Sequence, residues 1–309
     1  MPNIIFMGTP DFSVPILKDL NEAYGVDLVV SQPDKPVGRK RIMTPPKVAA
    51  AARELDIDVY QPENIKDEEA MRKLESIDPD IIVTAAYGQI LPKALLELPK
   101  HGAVNVHASL LPKYRGGAPI HHAVMAGEEK TGITIMYMAE GLDSGDIISQ
   151  KEIPILEEDD TGSLHDKLSR LGSELLLETL PSIFDGSNES IPQEHASATY
   201  SPNVSKEDER LDFGRPAHEV FNHIRGLSPF PGAYTKLGDK RLKIYGAKPT
   251  GEKTAKPAGE ILGVHDEGFL VAAEDEALLI TEVQLAGKKK TTAKEFIQNR
   301  QDLVGQSLG

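Results

Sequence analysis

The 309-residue sequence contains no cysteine and no tryptophan. Without cysteine there is no disulfide, no thiolate nucleophile and no cysteine-containing metal site, and a reducing compartment suits the chain. Without tryptophan there is no indole N–H donor, and aromatic contacts rest on 8 Tyr and 8 Phe. Long apolar runs are missing too, since none approaches the ~20 residues that span a bilayer. The opening run MPNIIFMGTPDF has no basic residue ahead of its apolar stretch. It reads as a first β-strand and not as a signal or transit peptide. A soluble, cytoplasmic protein with no membrane partner is expected. The segment Gly8-Thr9-Pro10-Asp11 lacks both G-x-G-x-x-G and a Walker lysine, which leaves nucleotide-cofactor binding unsupported. His121 and His122 are adjacent, so on a helix their side chains diverge, and no metal site is expected.

A net charge of −14 argues against a general nucleic-acid binder. The distribution is uneven. Residues 210–309 carry 15 basic and 13 acidic side chains, leaving 19 basic and 35 acidic to residues 1–209. Within that acidic part Lys35, Arg39, Lys40, Arg41 and Lys47 form a dense basic island. A polyanion can be gripped by such an island while the remaining surface repels it.

Apolar runs at residues 4–7, 26–30, 81–85 and 103–106 alternate with helical patterns at 12–22, 48–55, 70–77 and 93–97. Continuous apolar strands separated by helices indicate an α/β domain whose mostly parallel sheet is covered on both faces. Strands at 132–138 and 147–155 follow, and a long helix at 164–183 closes the domain. Residues 185–209 are rich in Ser, Asn, Pro and charge and read as an extended linker. Beyond them, a helix near 217–224 precedes short strands at 233–236, 240–247, 259–264, 268–272 and 277–283, a pattern suited to a small β-barrel.

Four segments carry candidate chemistry. Asn105 and His107 lie two residues apart at the end of a strand, so both point to one side, toward the crevice where open α/β sheets bind ligands. An amide donor beside an imidazole suits acyl transfer; a helix-capping Asn with a structural His is the alternative at this point. In the turn Gly141-Leu142-Asp143-Ser144-Gly145-Asp146, Asp146 reads as the turn residue. Asp143 is the candidate to orient His107 and favour its protonated form, although from the turn alone an Asp that only hydrogen-bonds its own backbone is the stronger reading. Tyr87 and Gly88 leave another strand at the same sheet edge, where a glycine lets a flat ligand approach the backbone. An ordinary strand-to-helix loop would look the same. Finally, residues 33–41 form a loop unusually long for a compact sheet domain, and its lysines and arginines suit a mobile phosphate-contacting arm. Lys288, Lys289 and Lys290 form a second basic run, which reads either as a solvated turn or as a nucleic-acid contact.

Taken together these segments resemble the methionyl-tRNA formyltransferase family over essentially the whole chain. The resemblance rests on MGTPDF at 7–12, QPDKPVGRKR at 32–41, AYGQILPKALLELP at 86–99 and NVHASLLPKYRGGAPI at 105–120. It continues through TGITIMYMAEGLDSGDI at 131–147, ATYSPNVSKEDERLDF at 198–213 and AGKKKTTAKEF at 286–296. It implies a Rossmann-like formyltransferase domain (1–189), a linker (190–209) and a C-terminal OB-like barrel that contacts tRNA (210–309). It implies 10-formyltetrahydrofolate as co-substrate, methionyl initiator tRNA as acceptor, no metal, and action as a monomer. Asn105, His107 and Asp143 match the family's catalytic trio. Ser109, Leu110, Leu111 and Pro112, with Tyr87 and Gly88, match its folate-lining positions. Lys35, Arg39, Lys40 and Arg41, with the 288–290 lysines, match its tRNA contacts. Many relatives carry Trp where this chain has Tyr114 and Phe230, so any contact made there by an indole N–H is lost. A sugar-nucleotide or other small-amine N-formyltransferase would share the trio, but a small substrate needs neither basic segment.

Overall fold

The computed structural model describes residues 1–38, 40–298 and 300–309. The chain divides into two compact units. One comprises Met1–Pro119, Lys130–Ile153 and His165–Pro202; the other comprises Ile120–Glu129, Pro154–Leu164 and Asn203–Gly309. Among the described residues no helix is long and apolar enough to cross a membrane.

The chain opens as β1 (Ile4–Gly8), α1 (Ser13–Tyr24), β2 (Leu28–Val30), β3 (Lys35–Val37), β4 (Ile42–Thr44), α2 (Lys47–Glu54) and β5 (Val59–Tyr60). It continues as α3 (Glu68–Glu75), β6 (Ile81–Ala85), α4 (Lys93–Leu96), β7 (Ala103–His107) and α5 (Pro119–Met125). Next come β8 (Lys130–Tyr137), β9 (Ile147–Pro154) and α6 (Thr161–Asp185). The main sheet of the first unit has the order β5-β2-β1-β6-β7-β8-β9. It is parallel from β5 to β7, and β8 runs antiparallel to β7. Strands β1 and β6 are buried at every position, as a sheet covered on both faces requires. On one face Ile5, Met7, Leu28, Val30, Ile82 and Ala103 pack with Leu74 of α3 and Leu95 of α4. On the other, α6 comes so close that a Cβ on Gly172 would meet Val106 Cγ1 at 2.8 Å and Ile16 Cδ1 at 3.5 Å. Strand β1 is flanked by β2 on one side and β6 on the other, so the strand order reverses at β1. The loops leaving β1, β6 and β7 therefore frame the crevice where such sheets take ligands.

The second unit contains α7 (Ala217–Gly226), β10 (Ala233–Leu237), β11 (Lys240–Lys253), β12 (Ile261–His265) and β13 (Gly268–Ala272). It ends with β14 (Glu276–Leu285), β15 (Thr291–Thr292) and α8 (Ala293–Gln298). The order is β10-β11-β14-β13-β12, antiparallel throughout, with β15 on β14. Leu242, Ile244, Phe269, Leu278 and Ile280 form its core with Val220 and Ile224 of α7 and Phe296 of α8. The two edge strands are joined by the C-terminal tail. Leu308 bridges to Leu237 at the end of β10, while Ser307 bridges to Glu260 just before β12. This is how the open row of strands approaches the expected barrel, and it covers edges that would otherwise present unpaired N–H and C=O groups. Leu308 sits in the core. Leu308→Ala is therefore expected to cost about 2–5 kcal/mol, seen as a lower urea midpoint for the second unit, with little change in the first.

Three sequence expectations are corrected. The segment 33–41, expected as an irregular arm, instead contributes to a two-stranded antiparallel hairpin in the register Lys35↔Thr44 and Val37↔Ile42. The residues of both strands are exposed, so no apolar alternation announced them. Residues 190–209, expected as an extended linker, bond closely to the first unit up to residue 202. Ile191 bridges to Ile147, Tyr200 bridges to Arg115, and Gln193 and Ser201 are buried. The expected boundary at 189 is also displaced, because residues 120–129 and 154–164 belong with the C-terminal unit. There Thr161 Oγ1 donates to Gly226 O at 2.6 Å, and Arg225 Nη1 donates to Leu156 O at 2.7 Å. Strand β15 and helix α8 were not anticipated, each being too short to show a period.

Candidate active site

Strand β7 ends the parallel part of the sheet and carries Asn105 and His107. Pleating places Ala103, Asn105 and His107 on one face, and Ala103 belongs to the core cluster on that face. The cross-strand neighbour of Asn105 on β6 is Thr84, whose Oγ1 donates to Asn105 Oδ1 at 2.8 Å. With Oδ1 engaged in that bond, the NH2 is the part of the Asn105 amide left to donate elsewhere.

His107 is buried. Its Nε2 lies 3.0 Å from Tyr114 O, a carbonyl, so Nε2 carries a hydrogen and donates. Nδ1 is then the ring atom left for a reacting group. It faces Asp143 Oδ2 at 3.7 Å, an ion-pair distance but too long for a hydrogen bond. The Asp143 carboxylate is held instead by the backbone of Gly116, whose N–H donates to Oδ2 at 2.8 Å. Asp143 itself is in the left-handed region (φ 44°), and so is Tyr114 (φ 61°). Both are uncommon for residues with a Cβ and need support from their surroundings. Gly145 follows in the same turn, where a Cβ would run into Tyr137 O, so only glycine fits.

The loop after β7 is stapled to β8 and β9. Thr134 Oγ1 donates to Ser109 O at 2.7 Å and accepts from Leu111 N at 3.2 Å. Gln150 Nε2 reaches Thr134 Oγ1 at 2.8 Å and Leu111 O at 2.9 Å. Of the expected folate-lining residues, Ser109 and Leu111 are buried, and the Ser109 hydroxyl is spent on Lys113 O at 2.7 Å. Those two shape the loop, while Leu110 and Pro112 keep partly exposed surface. Tyr87 is also buried, and its ring packs in the core beneath the sheet end. Burial raises the pKa of its phenol well above the ordinary tyrosine value, with Tyr60 adding to the shift. Gly88, by contrast, is exposed with φ 97°, which leaves its backbone open to a ligand.

The basic residues fall in two places. Lys35, Lys40 and Arg41 are exposed on the 35–44 hairpin; Arg39 lies outside the described residues. The hairpin also exposes Val37, Ile42 and Met43. In the second unit Lys288 and Lys289 are exposed, whereas Lys290 pairs with Glu282 at 2.7 Å and lies 4.8 Å from the Tyr245 ring centroid. The structure thus brings Asn105, His107 and Asp143 together. It adds three groups missed in the sequence: Thr84, the Tyr114 carbonyl and the Gly116 amide. No local signal marks Thr84, which reads as one more residue of a buried strand.

Two sequence families match. Formyl transferase covers residues 2–180, and Formyl transferase, C-terminal domain covers residues 203–301. A curated methionyl-tRNA formyltransferase of Staphylococcus aureus (strain MW2) is 53% identical over 310 residues, covering 100% of both chains. The enzyme of strain N315 matches to the same extent. This chain belongs to the methionyl-tRNA formyltransferase family. Among solved structures, a Helicobacter canadensis N-formyltransferase, in complex with folinic acid and dTDP-3-aminofucose, superimposes with a TM-score of 0.69 at 20% identity. It covers 91% of this chain and 99% of its own. HypX from Aquifex aeolicus, in complex with tetrahydrofolic acid, gives a TM-score of 0.64 at 19% identity. It covers 96% of this chain, which spans only 47% of HypX. At these identities the two structures speak for the fold alone. The members of this family so named catalyse formyl transfer, and the formyltransferase fold with its C-terminal antiparallel sheet is the one observed here.

Proposed function

We propose that this chain transfers the formyl group of 10-formyltetrahydrofolate to the free amino group of methionyl initiator tRNA, acting in the cytoplasm as a monomer. The observation that carries the reading is the end-to-end 53% identity to methionyl-tRNA formyltransferases, with Asn105, His107 and Asp143 meeting at one sheet edge. The residues present fit a formyl donor: β7 carries an amide NH2 and an imidazole whose Nδ1 faces the Asp143 carboxylate, and the neighbouring strand β6 leads to the exposed backbone of Gly88. The folate supplies the formyl carbon and a leaving nitrogen.

In this reading each side chain has a task. Asp143 accepts the proton released as the amine nitrogen bonds to the formyl carbon. The Asn105 NH2 donates to the oxygen that becomes anionic in the tetrahedral intermediate, joined by His107 Nδ1 when the ring carries a second proton beside the one Nε2 gives to Tyr114 O. When that intermediate collapses, the bond from carbon to the folate nitrogen breaks, and the proton held at Asp143 returns to that nitrogen. The products are the N-formylated acceptor and tetrahydrofolate, with no net change in protons. Thr84 and Tyr114 O hold the two donors in place throughout.

The test is transfer of labelled formyl groups to charged initiator tRNA, charged elongator methionine tRNA and free methionine. Labelling of the initiator alone is expected. Labelling of amino sugars in its place would move the activity to small amines. The exposed hairpin supplies the tRNA contact in this reading. Arg41→Ala is expected to weaken tRNA binding and to lower the salt dependence of log K by about one ion, with folate binding unchanged. An unaltered salt slope in both Arg41→Ala and Arg39→Ala would remove the hairpin from tRNA recognition.

A further inference from the structure

The segment from 181 to 202 lies between the two matched sequence families, and its composition marks it as a connector. Gln193, in the middle of it, is nevertheless 5% exposed and fully hydrogen-bonded. Its Nε2 donates to Asp143 O at 2.9 Å and Gly145 O at 2.7 Å. Its Oε1 accepts from Arg115 Nε at 3.1 Å and Nη2 at 2.6 Å. The Arg115 guanidinium is itself buried at 3% exposure and also reaches His195 Nδ1 at 3.2 Å. One amide thus joins two stretches of backbone. The first is the turn of Asp143, whose left-handed conformation needs an external restraint. The second is the strip 114–116, where Tyr114 O receives His107 Nε2 and Gly116 N holds the Asp143 carboxylate. The same segment braces that strip again farther along. Arg115 N donates to Thr199 O at 2.9 Å, Ser201 N donates to Arg115 O at 2.7 Å, and Tyr114 N donates to Thr199 Oγ1 at 2.9 Å.

We propose that Gln193 is a positioning residue for formyl transfer: its amide bonds the Asp143 carbonyl on one side and Arg115 on the other, setting the Asp143 carboxylate against His107. The proposal rests on the proposed formyl-transfer reading for its catalytic consequence, though not for the structural tie. A backbone carbonyl held by a 2.9 Å bond cannot drift by about an ångström without breaking it. Displacements of that size at reacting groups cost about a hundredfold in rate.

The decisive variant is Gln193→Glu, which keeps the size of the side chain and the acceptor for Arg115 but replaces both N–H donors with an oxygen facing two carbonyls. With charged initiator tRNA and 10-formyltetrahydrofolate, kcat is expected to fall at least tenfold while both KM values stay within twofold. Placed on Asp143→Asn, the same change should cost less than a further twofold in single-turnover rate, because groups acting as one unit are not additive. A readout that needs no turnover accompanies these. Hydrogen exchange of the Gly116 amide, bonded to the Asp143 carboxylate, should speed up at least tenfold. Unchanged kcat, an undiminished penalty on Asp143→Asn, or unchanged Gly116 exchange would each overturn the proposal. Circular dichroism melting shows whether Gln193→Glu folds; if it does not, Gln193→Leu takes its place in the same three measurements, and the same outcomes support or overturn the proposal. A wild-type protein that protects Gly116 yet formylates no amine would defeat the functional reading and leave the Gln193 tie to be judged by exchange.

Discussion

Asn105→Ala is expected to lower turnover by about a hundredfold to a thousandfold with little loss of stability. The asymmetry follows from where the side chain spends its polar groups. Its Oδ1 accepts from Thr84 Oγ1 at 2.8 Å, which leaves the NH2 as the group to donate. A donor fixed before the reaction begins is worth more to a developing oxyanion than to a neutral carbonyl, because nothing has to reorganise when charge appears. Removing it therefore strikes kcat and not binding. Folding loses only the net value of one hydrogen bond, about 1 kcal/mol. Thr84 Oγ1 keeps a second acceptor in Val104 O at 3.2 Å, so no buried hydroxyl is stranded. Single-turnover rates and urea midpoints measured side by side check both halves. Turnover within tenfold of the wild type would show that Asn105 is not an oxyanion donor. Asn105→Asp, which swaps donor for acceptor at constant shape, should be at least as damaging.

Asp143→Asn should lower kcat by about a hundredfold to ten-thousandfold, and it separates charge from scaffold. The substituted amide keeps an oxygen to accept from Gly116 N, and Asn is at ease in the left-handed conformation that Asp143 adopts. The turn should therefore survive intact. What disappears is the ability to take the amine proton and the negative charge 3.7 Å from His107 Nδ1. If Asp143 were only a brace for the strip at Gly116, the Asn variant would turn over almost normally. Comparison with Asp143→Ala, which loses brace and charge together, then gives the share of each.

Much of the first unit was legible because its signals are local. Apolar runs at β1 and β6 read as strands buried on both faces, and the two-residue period on β7 put Asn105 and His107 on one side. The hairpin at 35–44 was not legible, since its residues face solvent and pair with each other instead of with a core. Its prolines and charges read as loop. Helix α8 and strand β15 were too short to display a period. The connector at 185–209 misled for another reason: its composition is that of a chain without a core, yet Gln193 and Ser201 are buried through polar contacts to Asp143, Arg115 and Tyr114, 50 to 87 residues away.

By itself, the sequence determined the α/β class, the family and three candidate residues for the chemistry, because apolar periodicity and short motifs are properties of neighbouring residues. Only the tertiary structure decided which ring nitrogen of His107 faces Asp143, that Thr84 bonds the Asn105 Oδ1, that Ser109 and Tyr87 are buried, and that the connector is bonded to Asp143 and Arg115. Each of those depends on a directional hydrogen bond or a packing contact between residues far apart in the chain. Such a bond exists only once the backbone has brought donor and acceptor within about 3 Å.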